Sequence, residues 1–485
     1  MRRTRFAPSP TGYMHIGNLR TALYTYLIAK KDPDGVFILR IEDTDQGRLV
    51  NGATDIIYQT LEQCHLKFDE GPSVGGEYGP YVQSERMHSG IYQKYAKELI
   101  ARKGAHYCFC DEEMINAQRE LQAARKESFK YDDPCKCLSA DECAKRIANG
   151  EKYVVRQTIP DQGTTSFDDE VFGHITVENN TLDESILLKS DGFPTYNFAN
   201  IIDDHTMHIT HVVRGMEYLS STPKYNLIYQ AFGWSIPTYI HCPPVMKDET
   251  TKLSKRNGDA SFQDLIKKGY LPEAILNYIA LLGWAPDNSK EIYTLAELVN
   301  AFNVKHIGTS GAIFDLNKLT WVNAQWLRNM DLDQYTKLVT PYIKQGVHGS
   351  FVIKKIAKIL QNRAETLIQI PEMVDFFDQF PSYDNSLYQN KKMKTNNEIA
   401  LVALKAIQPV LEKLDDWSEI NLHDTLMALP SKLGMKNGQV LFPLRLAISG
   451  KQFTPGGAIE IADILGKQET LRRLQLSIKQ LENNI

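Results

Sequence analysis

The sequence lacks any hydrophobic run long enough to cross a membrane. Its longest apolar stretch lies around residues 278–285, whereas a membrane-spanning helix needs about 20 residues. The opening Met1-Arg2-Arg3-Thr4 is not followed by an apolar core of the length found in signal peptides. We therefore expect a cytoplasmic protein that has no membrane partner.

Cysteine is scarce, with 7 residues in a chain of 485. An odd number in a large chain that we expect inside the cell argues against a disulfide framework and for reduced thiols or a metal site. Four of the cysteines form two C-x-C pairs, Cys108 with Cys110 and Cys135 with Cys137. Four thiolates can complete a closed tetrahedral zinc site. The pattern therefore indicates structural Zn²⁺, with unlinked thiols as the alternative.

A strong net charge is also absent. The 55 basic residues nearly balance the 59 acidic ones, which gives a net charge of −4. A nucleic-acid partner would therefore have to bind local basic patches rather than a global basic field. The sequence contains no internal repeat, and its 42% hydrophobic and 24% charged residues are typical of a globular protein. Its length predicts about two to four domains.

The first twenty residues carry the pattern around which the rest of the chain is organised. A short apolar strand is followed by the turn Pro8–Gly12 and by helical spacing of apolar residues over about residues 19–31. His15 and Gly17 therefore lie directly before a helix N-terminus, where free N–H groups and the helix dipole favour an anion. The pattern indicates a phosphate-binding corner, although an ordinary loop with a surface histidine would show the same short motif.

The next apolar run, Val36–Ile41, is typical of a strand buried on both faces of a parallel sheet. It delivers the acidic segment Glu42–Asp45 to its carboxyl end, where ligands bind in open α/β sheets. Amphipathic helices follow at about residues 56–64 and 91–99. This order predicts an α/β fold with a doubly wound Rossmann-type parallel sheet.

Changes in pattern along the chain predict five segments. Short polar segments and isolated strands indicate a domain inserted into the sheet, whose pattern resumes at Ile186. The C-terminal third shows helical patterns only. The segments are 1–107 and 185–245 for the two halves of the sheet domain, 108–184 for the insertion, 246–326 for a loop and helical domain, and 327–485 for a helical C-terminal region.

The loop after the second half of the sheet domain is rich in cations. Its sequence is Lys252-Leu253-Ser254-Lys255-Arg256. Lysine offers a flexible point charge and arginine a bidentate donor, and both suit a polyphosphate whose charge changes during a reaction. A solvated basic loop is the alternative when this segment is considered alone.

Taken together, His15-Ile16-Gly17-Asn18 and the basic loop resemble the paired nucleotide signatures of class I aminoacyl-tRNA synthetases. The chain most resembles the bacterial-type glutamyl-tRNA synthetases, over nearly its whole length. The matching motifs, in order, are Arg5–Gly12, Arg40–Asp45, Asp69–Pro72, Asp191–Tyr196 and Lys252–Arg256. Two positions depart from the family pattern. Asn18 replaces the second histidine of the family motif, and the role of Asn18 stays open. Cys137 stands where some relatives have a histidine.

The resemblance implies a reaction in two steps. Glutamate attacks the α-phosphate of ATP to give glutamyl-adenylate and pyrophosphate, and the 3′-terminal adenosine of tRNA(Glu) then accepts the glutamyl group. Catalysis of this kind depends on positioning and on electrostatic stabilisation. The resemblance assigns ATP, with Mg²⁺, to His15, Gly17, Lys252, Ser254 and Lys255. It assigns catalytic roles to His15, Lys252 and Lys255.

Selection of glutamate can be argued from charge. Glutamate carries two carboxylates and one ammonium group, so its pocket needs at least two cations and one anion. Arg5 and Arg214 supply cations near the predicted site, and Glu42 supplies the anion. We expect Arg214 to bind the side-chain carboxylate and Glu42 the α-amino group, with a purely structural arginine as the alternative for Arg214. The resemblance adds three hydrogen-bond partners, Ser9, Tyr196 and Asn200.

The resemblance also implies how tRNA is bound. The cysteine-bearing insertion would hold the acceptor end, and the helical C-terminal region would read the anticodon. Gln361 and Arg363 are candidates for anticodon contacts, so the sequence leaves open whether tRNA(Gln) is also charged. A monomer is the family expectation. Two lysine groups suit phosphate contacts or solvated surfaces, namely Lys354, Lys355 and Lys358, and Lys391, Lys392 and Lys394.

Four other functions are less favoured by the sequence. Glutaminyl-tRNA synthetases carry Glu-Pro-Asn where this chain has Ser9-Pro10-Thr11. A tRNA-modifying glutamyl transferase would lack the helical C-terminal third. A non-catalytic tRNA-binding paralogue would have lost His15, Lys255 or Glu42. A generic nucleotidyl transferase would not need an amino-acid pocket with two arginines and a glutamate.

Overall fold

The structure, a computed structural model, describes residues 1–126, 131, 134–253 and 261–483. The chain divides into two compact units, the first made of Met1–Leu265 and Ile275–Asp315 and the second of Ile266–Ala274 and Leu316–Ile485. Within the described ranges, no helix has both the length and the apolar character needed to cross a membrane. All seven cysteines are free thiols.

The first unit contains the strands of the described chain. They are β1 (Arg3–Phe6), β2 (Val36–Leu39), β3 (Ala105–Cys108), β4 (Val154–Gln157), β5 (Thr164–Asp169), β6 (Gly173–Glu178), β7 (Ile186–Leu188), β8 (His211–Gly215), β9 (Thr238–Cys242), β10 (Val245–Met246) and β11 (Ala312–Ile313). The short strands β10 and β11 form a separate parallel pair.

A six-stranded main sheet has the order β2-β1-β8-β9-β5-β6. β1 pairs in parallel with β2 and β8, and β9 pairs in parallel with β8 and β5, whereas β6 is antiparallel to β5. The central strands β1, β8 and β9 are short and largely buried, as expected for strands covered on both faces. The predicted doubly wound parallel sheet is confirmed.

A second, antiparallel sheet has the order β3-β4-β7. Its strand β7 lies at Ile186, where the sequence pattern indicated a return to the main sheet. An apolar run of three residues fits any buried strand, and the pairing of Leu188 with Val155 on β4 places it in the second sheet. Conversely, the hairpin of β5 and β6, which lies within residues 108–184, extends the main sheet.

The first unit also contains helices, several of which pack on the two sheets. They are α1 (Ile16–Lys30), α2 (Ala53–Gln63), α3 (Gln83–Met87), α4 (Ile91–Ala101), α5 (Glu112–Ala124), α6 (Ala140–Ala148), α7 (Tyr196–Thr206), α8 (Thr222–Phe232) and α11 (Leu295–Ala301). Two further helices, α9 (Phe262–Lys267) and α10 (Pro272–Ala280), contain the points at which the chain passes between the units. Leu19, Leu23 and Leu27 of α1 are fully buried, which fits a helix packed on a central sheet.

The second unit is helical, which confirms the expectation for the C-terminal region. Its helices are α12 (Leu316–Asn329), α13 (Leu332–Gly346), α14 (Ile353–Leu360), α15 (Ile370–Val374), α16 (Asn397–Glu412), α17 (Glu419–Leu433), α18 (Asn437–Ser449) and α19 (Ala458–Glu482). The last of these bends at Gly466, whose φ of 77° is not helical. Apolar side chains such as Leu404, Leu444 and Leu474 are fully buried and form its core.

Candidate active site

A cavity of about 510 Å³ opens at the carboxyl edge of the main sheet. Its walls come from the turn after β1, the N-terminus of α1 and the residues that follow β2, β8 and β9. This edge is where open α/β folds bind ligands. The predicted site residues that line the cavity are Arg5, Ser9, His15, Gly17, Glu42, Tyr196, Arg214 and Lys252. Asn200 does not line it, and Ser254 and Lys255 lie outside the described residues.

His15 forms the N-terminal cap of α1. Its Nδ1 accepts a hydrogen bond from the Gly17 N–H at 3.0 Å, so Nε2 is the ring nitrogen that carries the proton. This cap explains why α1 begins at Ile16, slightly before the predicted start at about residue 19. A Cβ on Gly17 would lie 3.2 Å from His15 Nδ1, so the close cap also favours glycine there. The cavity thus receives a helix N-terminus together with an N–H donor, which suits an anionic ligand.

The described residues on either side of the basic loop are anchored beside this corner. Leu253 donates its backbone N–H to the Val245 carbonyl at 3.0 Å, and Lys252 lines the cavity. On the far side of the loop, Ser261 forms a β-bridge with His15, and the Phe262 N–H donates to the Met14 carbonyl at 3.0 Å. Both attachments therefore involve the phosphate-binding corner or the adjacent wall of the cavity.

Two arginines and two carboxylates form a buried network along one wall. Arg40 is fully buried and donates to Glu42 Oε1 at 2.9 Å and to Asp204 Oδ1 at 2.8 Å. Arg5 donates from Nε to the same Asp204 oxygen at 2.9 Å. Burial disfavours the charge of Asp204, but the two guanidinium groups outweigh it and lower the pKa of that carboxyl. Burial dominates at Glu42, whose pKa is raised although Arg40 and Arg5 oppose the shift.

Arg214, at the carboxyl end of β8, is a buried cation with a different environment. It is 6% exposed, and no carboxylate among the described residues forms an ion pair with it. Its Nη2 donates to Thr222 Oγ1 at 3.1 Å, and its Nε lies 3.4 Å from His241 Nε2. Three tyrosine rings surround the guanidinium, with centroid distances of 4.8 to 5.5 Å. Because a buried charge is costly without a counter-charge, this arrangement suits an anionic ligand.

Tyr196 and Asn200 occupy successive turns of α7. The Tyr196 ring lies 5.5 Å from the ring of Tyr218, measured between centroids, and burial raises the pKa of its hydroxyl well above the usual value. The hydroxyl therefore stays protonated and can donate to a ligand. Asn200 donates from Nδ2 to the Tyr196 carbonyl at 2.6 Å, so it supports the helix backbone that carries the tyrosine.

Sequence reasoning assigned no role to the charged residues behind the cavity wall. Arg40 directly follows the apolar strand β2, and Asp203 and Asp204 directly follow Ile201 and Ile202 on α7. Asp203 accepts hydrogen bonds from Arg86, Tyr92 and Gln83, at 2.7 to 3.1 Å. One sequence signal could have identified these residues, namely a charged side chain next to an apolar segment. Such a side chain is buried only when it has a partner of opposite charge, so it indicates a buried ion pair.

Three of the four cysteines predicted as metal ligands form a cluster. The sulfur atoms of Cys108, Cys110 and Cys135 lie within 4.8 Å of one another. Cys137, the predicted fourth ligand, is exposed and does not belong to this group. The Tyr131 hydroxyl instead lies 3.0 Å from Cys108 Sγ and 3.1 Å from Cys110 Sγ. Two of the three clustered sulfur atoms therefore also contact a phenol oxygen.

In the second unit, one of the two predicted lysine groups is neutralised by acidic side chains. Lys354, Lys355 and Lys358 form ion pairs with Asp333, Asp463 and Glu419, at 2.5, 2.7 and 3.1 Å respectively. The other group, formed by Lys391, Lys392 and Lys394, is exposed and has no such pair among the described residues. The second group is therefore the better candidate for phosphate contacts.

Gln361, one of the two anticodon candidates, has a structural role. Its Nε2 donates to the carbonyls of Leu327, Arg328 and Met330, with the shortest distance, 2.7 Å, to Met330. These carbonyls lie at the end of α12, where backbone acceptors lack helical partners. The side chain of Gln361 is therefore engaged in capping that helix.

Two family models match the chain. Residues 1–321 match the catalytic domain of class I tRNA synthetases (E and Q), and residues 334–478 match an anticodon binding domain. The chain is 56% identical over 483 residues to the glutamate–tRNA ligase of Clostridium tetani, a match that covers 100% of this chain and 98% of that protein. It is also 56% identical over 481 residues to the ligase of Clostridium acetobutylicum, covering 99% of each chain.

Solved structures agree with these sequence matches. The crystal structure of a glutamate tRNA ligase from Elizabethkingia meningosepticum, in complex with its amino acid, superimposes with a TM-score of 0.89 and 34% identity over 99% of both chains. Because the catalytic model matches most of the chain and the curated relatives align from end to end, the chain belongs to the class I glutamyl- and glutaminyl-tRNA synthetase family and, within it, to the glutamate–tRNA ligases.

Proposed function

We propose that the cavity at the carboxyl edge of the main sheet is where this glutamate–tRNA ligase activates L-glutamate with ATP. The resulting glutamyl-adenylate then passes its glutamyl group to the 3′ end of tRNA(Glu), which fits the similarity of this chain to glutamate–tRNA ligases. One observation carries this proposal most directly. Arg214 is a buried cation on the cavity wall without an acidic partner among the described residues, which suits a substrate with an extra carboxylate.

The charges of the cavity complement those of glutamate. The side-chain carboxylate binds Arg214, with the Tyr196 hydroxyl as an additional donor. The α-ammonium group binds Glu42. Burial raises the pKa of this carboxyl, and a bound cation would lower it again. Arg5, which is held by Asp204, and Ser9 complete the glutamate side of the cavity. Glutamine would leave the Arg214 guanidinium without a counter-charge, at a cost of roughly 3–5 kcal/mol.

The ATP phosphates bind at the N-terminus of α1. The backbone N–H groups near Gly17 and the Nε2–H of His15 supply donors to the phosphate oxygens, and Lys252 supplies a positive charge. Mg²⁺ bound together with ATP would neutralise phosphate charge. The glutamate carboxylate and the α-phosphate then meet between Ser9 and His15. Catalysis depends on holding these groups together and on stabilising the developing negative charge.

The three-cysteine cluster suits a structural zinc site. Zn–S bonds of about 2.3 Å in a tetrahedron place sulfur atoms about 3.8 Å apart, and Cys110 Sγ and Cys135 Sγ lie 3.8 Å apart. When bound, Zn²⁺ would tie β3 to the segment around Cys135. The Tyr131 hydroxyl contacts two of the three sulfur atoms, and Cys137 is exposed and lies outside the group.

The two ends of tRNA(Glu) engage different parts of the chain. Residues 108–184, which include the cysteine cluster, hold the acceptor end beside the cavity. The second unit, whose residues 334–478 match an anticodon binding domain, contacts the anticodon. The lysine group of Lys391, Lys392 and Lys394 contributes phosphate contacts there.

The proposed function is tested by pyrophosphate exchange with the wild-type protein. Exchange should require ATP and L-glutamate, should be far weaker with L-glutamine or L-aspartate, and should be assayed both with and without tRNA. Absence of glutamate-dependent exchange under both conditions would overturn the proposal. Equal exchange with glutamate and glutamine would refute the assigned role of Arg214.

A further inference from the structure

Two fully buried residues, His241 and Asp169, lie behind Arg214 in the main sheet. His241 is on β9 directly beside Arg214 on β8, where the strand register pairs the two residues. Asp169 is the last residue of β5, the next strand along. The side chains of His241 and Asp169 have no solvent exposure. Neither residue lines the cavity, so neither can contact a substrate bound there directly.

The Asp169 carboxylate fixes the tautomer of His241. Its Oδ2 accepts from His241 Nδ1 at 2.6 Å and from the His241 backbone N–H at 3.1 Å. Its Oδ1 accepts from the backbone N–H groups of Val171 and Phe172, at 3.0 and 2.9 Å. Because an ionised carboxylate can only accept hydrogen bonds, the proton of the neutral imidazole stays on Nδ1. His241 Nε2 is then left as an acceptor.

The acceptor nitrogen of His241 faces the Arg214 guanidinium. His241 Nε2 lies 3.4 Å from Arg214 Nε and 3.3 Å from Thr222 Oγ1. Thr222 donates its own proton to the Tyr218 carbonyl at 2.9 Å and accepts from Arg214 Nη2 at 3.1 Å. Burial and the nearby guanidinium lower the pKa of His241, although Asp169 opposes the shift. The neutral imidazole of His241 therefore faces Arg214 Nε with its acceptor nitrogen, Nε2.

We propose that Asp169 and His241 are positioning residues that hold Arg214 in the orientation that receives the side-chain carboxylate of glutamate. The pair acts without neutralising the arginine, because the carboxylate contacts the imidazole and not the guanidinium. An acidic residue placed directly against Arg214 would compete with the substrate for its charge. A neutral histidine restrains the guanidinium and leaves that charge available. This inference rests on the proposed function, since it concerns the same glutamate pocket.

The test compares variants at these two positions in the pyrophosphate-exchange assay, with tRNA present. His241→Leu removes the acceptor for Arg214 and should raise the KM for glutamate about tenfold or more, while the KM for ATP changes less than about twofold. His241→Gln keeps an amide oxygen that can accept from Arg214, so it should recover part of this loss. An equal rise in both KM values, or no rise in the KM for glutamate, would overturn the proposal.

Asp169→Asn provides a second route that does not alter the histidine. Each oxygen of Asp169 accepts from two N–H groups, so the amide NH₂ of asparagine would face two donors where an oxygen now accepts. The variant should therefore also raise the KM for glutamate selectively. The matched control is Asp168→Asn, because Asp168 is the preceding residue on β5 and is exposed, with its carboxylate bound to His174. If His241→Leu fails to fold, this pair of variants decides. Equal KM values for glutamate in the two variants would contradict the proposal.

A double-mutant cycle separates positioning from general stability. Arg214→Lys keeps a positive charge but has no Nε–H for His241 to accept. His241→Leu should therefore add little further loss in the Arg214→Lys background, whereas independent effects would multiply. Full multiplication of the two effects would refute the proposed interaction. Failure of the proposed function is distinguishable, because the wild-type protein would then show no glutamate-dependent exchange.

Discussion

At the scale of single residues, the arginines of the first unit have distinct roles. Arg5 and Arg40 share the carboxylate of Asp204, so their charges are compensated within the protein. Arg214 lacks such a partner among the described residues. Burial disfavours its charge, but neighbouring tyrosines and, to a lesser extent, Asp204 raise the pKa of Arg214, so it stays charged at neutral pH. Its charge is therefore available to a ligand.

Glu42 provides a prediction at the same scale. Glu42→Gln keeps an oxygen that can accept from Arg40 but removes the negative charge opposite the α-ammonium group of glutamate. The KM for glutamate should rise about tenfold or more, since a hydrogen bond between charged groups contributes about 1.5–3 kcal/mol. Inhibition of pyrophosphate exchange by glutarate, which lacks the amino group, should change little. Both quantities are measured by steady-state kinetics.

The control for this variant is Asp45→Asn. Asp45 also lines the cavity, but it is mainly exposed and pairs with Arg48, so its replacement should leave the KM for glutamate almost unchanged. If Glu42→Gln weakened glutarate as strongly as glutamate, the variant would have disturbed the whole pocket and the assignment of the ammonium site would fail.

At the scale of elements, the cysteine cluster connects β3 with a distant part of the insertion. We predict that the purified protein contains about one zinc ion and that Cys110→Ser loses it. Cys64→Ser is the matched control, because Cys64 is a buried cysteine at the end of α2 and lies outside the cluster. Elemental analysis measures the metal, and Cys137→Ser and Tyr131→Phe reveal which residue completes the site. Retention of zinc by Cys110→Ser would contradict the assignment.

The elements also show what could be predicted from the sequence. Motifs of several residues, such as the turn before α1 and the acidic segment after β2, placed His15 and Glu42 in one cavity because parallel strands end at the same edge. The position of β7 could not be predicted, because three apolar residues do not specify a partner strand. The role of Asn200 in supporting the backbone of α7 had no local signal either.

Long-range pairing explains the other omissions. Arg40 and Asp204 are 164 residues apart, and His241 and Asp169 are 72 residues apart. Local spacing cannot show which buried charges will meet, since that depends on strand order. The absence of Cys137 from the metal cluster has the same cause. The C-x-C spacing identified candidate ligands, but it could not show that the sulfur atoms of Cys108, Cys110 and Cys135 group together while Cys137 is exposed.

At the scale of the whole molecule, tRNA binding should depend on lysines that form no ion pair within the described part of the chain. Replacing Lys391, Lys392 and Lys394 together by alanine should weaken tRNA binding. The phosphates that these lysines neutralise would then keep their counterions, and the free energy gained from counterion release would be lost. The slope of log K against log salt should fall by about 0.7–0.9 for each such phosphate. The matched control replaces Lys354, Lys355 and Lys358, whose charges are already paired with acidic residues. Binding isotherms at several salt concentrations give both slopes, and identical slopes for the two triple variants would refute the distinction.

The central claim is that glutamate is selected by Arg214 in the cavity of the main sheet. Its most direct test is the kinetics of glutamate-dependent pyrophosphate exchange for wild-type protein and for Arg214→Gln, with tRNA present. We predict that kcat/KM for glutamate falls by at least about 100-fold, because roughly 3–5 kcal/mol of charge pairing is removed. The KM for ATP should remain within about twofold of the wild-type value. An unchanged kcat/KM for glutamate would contradict the claim.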